Sequence, residues 1–204
     1  HLTPLKYNEL EAKAIHDLIG GDLLLGAEAT EARFREVAGD YQILHLATHA
    51  AANDTIGGYS FLAFNPIKDS IENEMLFVKD LYTMELHADL VVLSACETGI
   101  GEWQRGEGIV SLGRGFLYAG ARSIVTTLWS VDDRSSSRIM EDFYKNLSLG
   151  YRKDKALQIS KLNYLNQASP VKAHPFFWAA YIPVGQMEAI QLKQRKSPWA
   201  WLFS

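Results

Sequence analysis

His49 and Cys96 are the two side chains of this chain that could serve as a base and the nucleophile it activates. A thiol attacks only as its thiolate, so it needs a proton acceptor or a positive field beside it. An imidazole can supply either. Each residue follows an apolar run, YQILHLAT before His49 and DLVVLSA before Cys96. Open α/β sheets bind ligands beyond the carboxyl ends of their strands, so both residues fall where chemistry is expected. After Cys96 the chain turns through Glu97 and Thr98 into a glycine-rich stretch, Gly99 to Gly106. Such a turn can expose the sulfur and present backbone N–H groups. A lone cysteine at the end of an apolar strand can equally be an inert core residue, and the histidine 47 positions upstream is what favours chemistry.

The elements that must hold this pair alternate along the chain. Helices are expected over Glu9–Ile19, Thr30–Ala38 with Thr30 as cap, Glu107–Ala119 ended by Gly120, Asp132–Leu147 and Asp154–Gln167. A short helix is expected over Lys79–Met84. Strands are expected over Asp22–Gly26, Tyr41–Thr48, Ser60–Phe64, Glu74–Val78, Asp89–Ala95, Arg122–Trp129 and Phe177–Val184. The runs DLVVLSA and RSIVTTLW are apolar almost throughout, as in strands covered on both faces. This pattern predicts an α/β fold, a mainly parallel sheet sandwiched between helices in three layers. Residues 1–185 read as one domain and 186–204 as a C-terminal tail. That tail carries Lys193, Arg195, Lys196, Trp199, Trp201 and Phe203 and is expected to pack on its own domain or a neighbour.

The chain has 204 residues, 48% of them hydrophobic and 22% charged, enough for a sizeable core. A net charge of −4 gives no bulk basic character, so no nucleic-acid contact is expected. One cysteine excludes an internal disulfide framework and a cysteine-rich zinc site, and fits a reducing, cytoplasmic compartment. No run reaches the roughly 18 apolar residues of a membrane span. His45 and His49 are spaced H-x-x-x-H, but on a strand they would stand about 13 Å apart, too far for one metal. Neither G-x-G-x-x-G between strand and helix nor a Walker A sequence occurs. No metal and no cofactor is expected. The first residue is His1, and the chain is expected to be part of a longer protein.

Four blocks, HLATHA at 45–50, LSACETGIG at 93–101, GEGIVSLGRGFLYAGARSIVTTLWSVDD at 106–133 and HPFFWAAYIPVG at 174–185, together resemble a CHAT domain. This is a bacterial relative of caspases and separases, often attached to tetratricopeptide repeats. The His-to-Cys spacing is also close to the roughly 50 residues found in caspases. The resemblance covers about residues 20–185. It implies a caspase-hemoglobinase-like fold and, in active members, a cysteine endopeptidase acting on a protein substrate. It places the base at His49 and the nucleophile at Cys96, with the oxyanion held by the backbone N–H groups of Cys96 and of the residue after the histidine. Relatives commonly carry glycine there, whereas this chain has Ala50. If the loop needs a positive φ, Ala50 is strained; otherwise it is harmless. By the same resemblance Asp133, and beside it Asp132, would line a pocket for a basic P1 side chain. Both acids also sit where a helix N-terminus favours them. Glu97 and Gly99 would belong to the loop beside the site. An N-terminal regulatory or repeat region is expected beyond this chain.

Two readings stay open. One is a regulated cysteine endopeptidase. The other is a catalytically silent CHAT module, a scaffold or sensor, for which Ala50 is the only hint. An α/β-hydrolase is disfavoured, because SACETG lacks the G-x-S-x-G elbow.

Overall fold

A computed structural model describes residues 7–51, 59–65, 74–94, 96–97, 107–129 and 131–192, with the backbone alone at residues 51, 96–97 and 107–111. Helix α1 (Asn8–Ile19) begins with the Asn8 carboxamide accepting the Glu9 N–H at 2.7 Å. Helix α2 (Glu31–Val37) is capped as expected, Thr30 Oγ1 accepting the Arg33 N–H at 3.2 Å. Then come β1 (Ile43–Leu46), β2 (His49–Ala51), β3 (Phe61–Ala63), β4 (Met75–Phe77), α3 (Val78–Leu81), β5 (Leu90–Leu93) and β6 (Cys96–Glu97). The chain continues through α4 (Glu107–Tyr118), β7 (Ser123–Thr127), α5 (Asp133–Ser148), α6 (Lys153–Gln167) and β8 (Tyr181–Gly185).

There are two four-stranded sheets among the described residues, β4-β3-β2-β6 and the central one, β1-β5-β7-β8. The first three strands of the central sheet are parallel, and β8 closes it as an antiparallel edge. All four residues of β5 and all five of β7 are buried. Their side chains alternate between two cores, as a strand's period of two requires. Val91, Leu93 and Ile124 join Phe34, Leu112 and Phe116, under α2 and α4. Leu90, Val92 and Val125 join Ile139, Phe143 and Tyr144, under α5 and α6. The molecule is therefore a three-layer α/β sandwich, as the sequence pattern predicts. Close approach of α4 to the sheet depends on Gly113, where a Cβ would collide with the Ile124 side chain.

Helix α1 packs on α5 and brings Ile15 and Ile19 to the second core. Its buried residues are Ile15 and Glu11, while Leu10 and Leu18 stay exposed. Burial of Ile15 stabilises this docking by about 1.5–3 kcal/mol, and the partly buried Ile19 adds to it.

Three local expectations are corrected. Residues 22–26 form no strand: 21–25 are irregular and Gly26–Glu28 is a 3-10 turn. Leu23, Leu24 and Leu25 are only half-buried, and among the described residues no strand pairs with them. The run 41–48 is not one strand but ends at Leu46, with a second strand starting at His49. The last strand starts at Tyr181 rather than Phe177, because Pro175 opens a 3-10 turn capped by His174, whose Nδ1 accepts the Phe176 N–H.

Beyond β8, residues 186–192 lie against the same core. Ile190 is buried, Leu192 packs beside it, and Gln42 donates to the Gln191 carbonyl. Buried Lys153 donates to the carbonyls of Asp89 and Gln186 at 2.8 and 2.9 Å. Burial pulls its pKa below the ordinary lysine value. The basic and aromatic residues 193–204 lie outside the described residues, as do the loop 99–106 and residues 52–58. Among the described residues no helix is long and apolar enough to cross a membrane.

Candidate active site

The parallel ladder between β1 and β5 pairs Ile43 with Leu90 and Leu46 with Leu93, an offset of 47 residues. Beyond a two-residue break the same two chain segments pair again, as β2 and β6, with His49 opposite Cys96 and Ala50 opposite Glu97. The offset is unchanged. The Ser94 N–H, donating to the Leu46 carbonyl at 3.0 Å, carries the pairing into the break. The sequence separation of the two reactive residues is thus the register of the sheet. Neighbouring strands lie about 4.8 Å apart, so the backbone brings the His49 and Cys96 positions side by side beyond the carboxyl ends of β1 and β5.

The segment carrying His49 is held from both sides. β3 pairs antiparallel to β2, Leu62 facing Ala50, and the Thr48 hydroxyl donates to the Ala63 carbonyl. From the other side the Asn8 carboxamide reaches the Ala47 carbonyl at 3.4 Å. Ala50 is buried inside a strand paired on both edges. Extended backbone suits any residue, so the position needs no glycine. Glu97 is placed by its backbone in β6; Gly99 lies outside the described residues.

The two acids of the α5 N-terminus part company. Asp132 caps the helix: its carboxylate accepts the Ser135 N–H at 3.1 Å, the Ser135 hydroxyl at 2.8 Å and Lys172 Nζ at 3.0 Å. Burial works to raise its pKa, but the hydrogen bonds from Lys172 and Ser135 outweigh it and hold the carboxyl below the ordinary value of 3.8. The folded form therefore gains stability from this carboxylate at any pH above the unfolded value and loses it as pH falls through the lower folded value. Asp132→Ala should lower stability by about 1 kcal/mol and flatten the acid limb below about pH 4. Thermal melts between pH 2 and pH 7 check both.

Asp133 lines a small cleft instead. The other lining residues are Tyr7, Asn8 and Glu11 at the start of α1, Ala47, Ser94 and Ser136. Ala47 and Ser94 lie two positions before His49 and Cys96 respectively, so the cleft adjoins the paired positions.

Lining residues of the cleft take part in a polar network that sequence reasoning missed. His45 Nε2 is 3.0 Å from Glu11 Oε1, and His45 Nδ1 is 3.1 Å from the Tyr144 hydroxyl. Burial first, and the Glu11 charge second, push the Tyr144 pKa well above the ordinary phenol value, so the phenol stays neutral. Ser94, Ser136 and the Tyr181 hydroxyl form a second buried cluster at 2.5–3.2 Å. The missed signal was Glu11 itself, which shares a helical face with Ile15 and Ile19 at four-residue spacing. A carboxylate on a buried stripe requires a partner.

Comparison with known proteins shows the family. A family model described as the CHAT domain matches residues 1–186. Tetratricopeptide repeat protein 28 of Mus musculus is 25% identical over 213 residues, covering 89% of this chain and 9% of that protein. Tetratricopeptide repeat protein 28 of Homo sapiens is 24% identical over 213 residues, covering 89% of this chain and 8% of that protein. The chain thus spans less than a tenth of these curated relatives, and its likeness extends to mammals.

Proposed function

The chain belongs to the CHAT domain family, and from that premise we propose that it is a cysteine endopeptidase with Cys96 as nucleophile and His49 as base. The observation that carries this reading is the register pair His49–Cys96 at the carboxyl end of the parallel strands. His49 takes the thiol proton, and the thiolate forms a bond to the carbonyl carbon of a peptide. The carbonyl electron pair moves to oxygen, where the backbone N–H groups of Cys96 and Ala50 receive it. Collapse breaks the C–N bond, and His49 returns its proton to the leaving amine. Water then hydrolyses the thioester and restores the thiol.

In this reading the cleft beside the pair is the P1 subsite, with Asp133 as the acid that receives a lysine or arginine side chain. Glu97 and Gly99 border the site. Residues 1–185 form the peptidase unit and 186–204 its tail. The enzyme works in the cytoplasm, where its thiol stays reduced, beside an N-terminal regulatory region of repeats like those named in its relatives. The extended backbone at Ala50 supports this reading over a catalytically silent module, whose only motive was that alanine.

The test is a P1-randomised peptide library, with the Cys96→Ala chain as control. Cleavage after Lys or Arg, absent from the control, is the expected result; equal cleavage by the control would overturn the reading. Asp133→Asn should lower kcat/KM on basic P1 peptides by roughly 10- to 100-fold, as loss of a charge-assisted hydrogen bond implies, and leave apolar P1 peptides within about twofold. Equal losses on both would assign Asp133 to the helix terminus alone.

A further inference from the structure

We propose that helix α1 is a latched wall of the substrate cleft, that Glu11 is the latch, and that seating of α1 determines whether the cleft can hold a cationic side chain. The role of the cleft rests on the peptidase reading above; the latch itself does not.

Three observations carry the proposal. First, the cleft is composite. Tyr7, Asn8 and Glu11 at the start of α1 line it together with Asp133 and Ser136 of α5. With α1 displaced, the cleft would lose the lining that α1 supplies. Second, the apolar anchorage of α1 is modest. Ile15 is buried and Ile19 packs partly against the second core, while Leu10 and Leu18 are 57% and 44% exposed. Third, the polar attachment spans three elements. Glu11 on α1 pairs with His45 on β1, whose other ring nitrogen meets Tyr144 on α5.

Glu11 is 3% exposed and Tyr144 fully buried. A partly undocked α1 would leave a buried carboxylate without its partner, an unfavourable state. Undocking fully returns Glu11 to water. The chemistry therefore favours two positions over a continuum, and an element with two positions can be biased by whatever contacts it. Because Glu11 both borders the cleft and fastens the helix, release of the helix removes an acid from the subsite in the same step. In this sense Glu11 is a positioning residue for specificity. It acts on the P1 side chain through the seating of α1.

Amide hydrogen exchange on the intact chain reads the latch directly. Glu11→Gln, nearly isosteric, should speed exchange across residues 8–19 by about tenfold or more, while 90–93 and 123–127 stay protected. His45→Gln should do the same, and the double variant should add nothing further. Unchanged exchange in α1 would overturn the proposal. Loss of protection in β5 and β7 as well would make the pair part of the global core, and would also overturn it.

Two thiol reagents read the consequence. Alkylation of Cys96 by a peptidyl-arginine chloromethyl ketone depends on the cleft, and alkylation by iodoacetamide does not. Glu11→Gln should cut the ketone rate about tenfold and leave the iodoacetamide rate within about twofold. Proportional loss of both rates would place Glu11 in control of the dyad and overturn its assignment to the cleft. If the ketone holds no advantage over iodoacetamide in the unsubstituted chain, the basic P1 reading falls, and the exchange data alone decide whether the latch stands.

Discussion

Cys96→Ala will abolish peptide cleavage, lowering kcat by at least about 10⁴-fold, and His49→Ala will come close to it. The alanine leaves no atom able to form the acyl intermediate. The histidine acts twice, taking the thiol proton and protonating the leaving amine, so its loss damages both halves of the reaction. A free thiol still ionises by a few per cent near neutral pH. Alkylation of Cys96 by iodoacetamide should therefore persist in His49→Ala, slowed by roughly 10- to 100-fold. The two assays should thus diverge, with cleavage falling more than labelling. The double substitution should be no worse than Cys96→Ala, since the pair acts as a unit. Cleavage that survives Cys96→Ala would end the peptidase reading. Fast labelling in His49→Ala would remove the histidine from the mechanism, whatever the register pairing of β2 with β6 brings together.

The second large effect concerns the fold that delivers that pairing. Gly120→Ala will lower stability by roughly 3–5 kcal/mol, and the melting temperature by about 8 °C or more. Gly120 ends α4 at φ +112, a conformation that L side chains rarely adopt. A Cβ there would run into the Leu86 carbonyl oxygen. Leu86 cannot retreat freely, because its N–H donates to the Ala119 carbonyl at 2.7 Å and its side chain is buried in the core. Gly150 is the control. It also has a positive φ, +82, but a Cβ there meets nothing within 4 Å, so Gly150→Ala should cost only about 1–2 kcal/mol of backbone strain. Equal melting temperatures for the two variants would show that the collision at Leu86 relaxes.

Much of this architecture was legible because it rests on local chemistry. The apolar runs at 89–95 and 122–129 announced strands covered on both faces, and β5 and β7 are buried throughout. Thr30 and Asp132 both precede helices and cap them. The His49 and Cys96 positions were legible because each follows an apolar run that forms a strand, β1 half-buried and β5 buried throughout, and the two strands are neighbours. What escaped depends on partners distant in sequence. Residues 22–26 look like a strand, yet an apolar run forms one only where another edge meets it. Asp132 and Asp133 are indistinguishable from spacing alone. They are separated by Lys172, forty residues further along, which takes one carboxylate and not the other. The burial of Glu11 was written in the helical stripe it shares with Ile15, but its partner His45 could be named only with α1 seated on the sheet.

The unbroken offset across the two ladders has an evolutionary consequence. Loops between His49 and Cys96 can lengthen or shorten freely among relatives, because hydrogen-bonded partners meet regardless of how much chain wanders between them. The short interruptions after Leu46 and after Leu93 have no such latitude. One residue gained or lost in either would slide a strand by one step and turn its reactive side chain to the opposite surface. Natural variation in length should accordingly crowd into the excursions and spare those two narrow junctions.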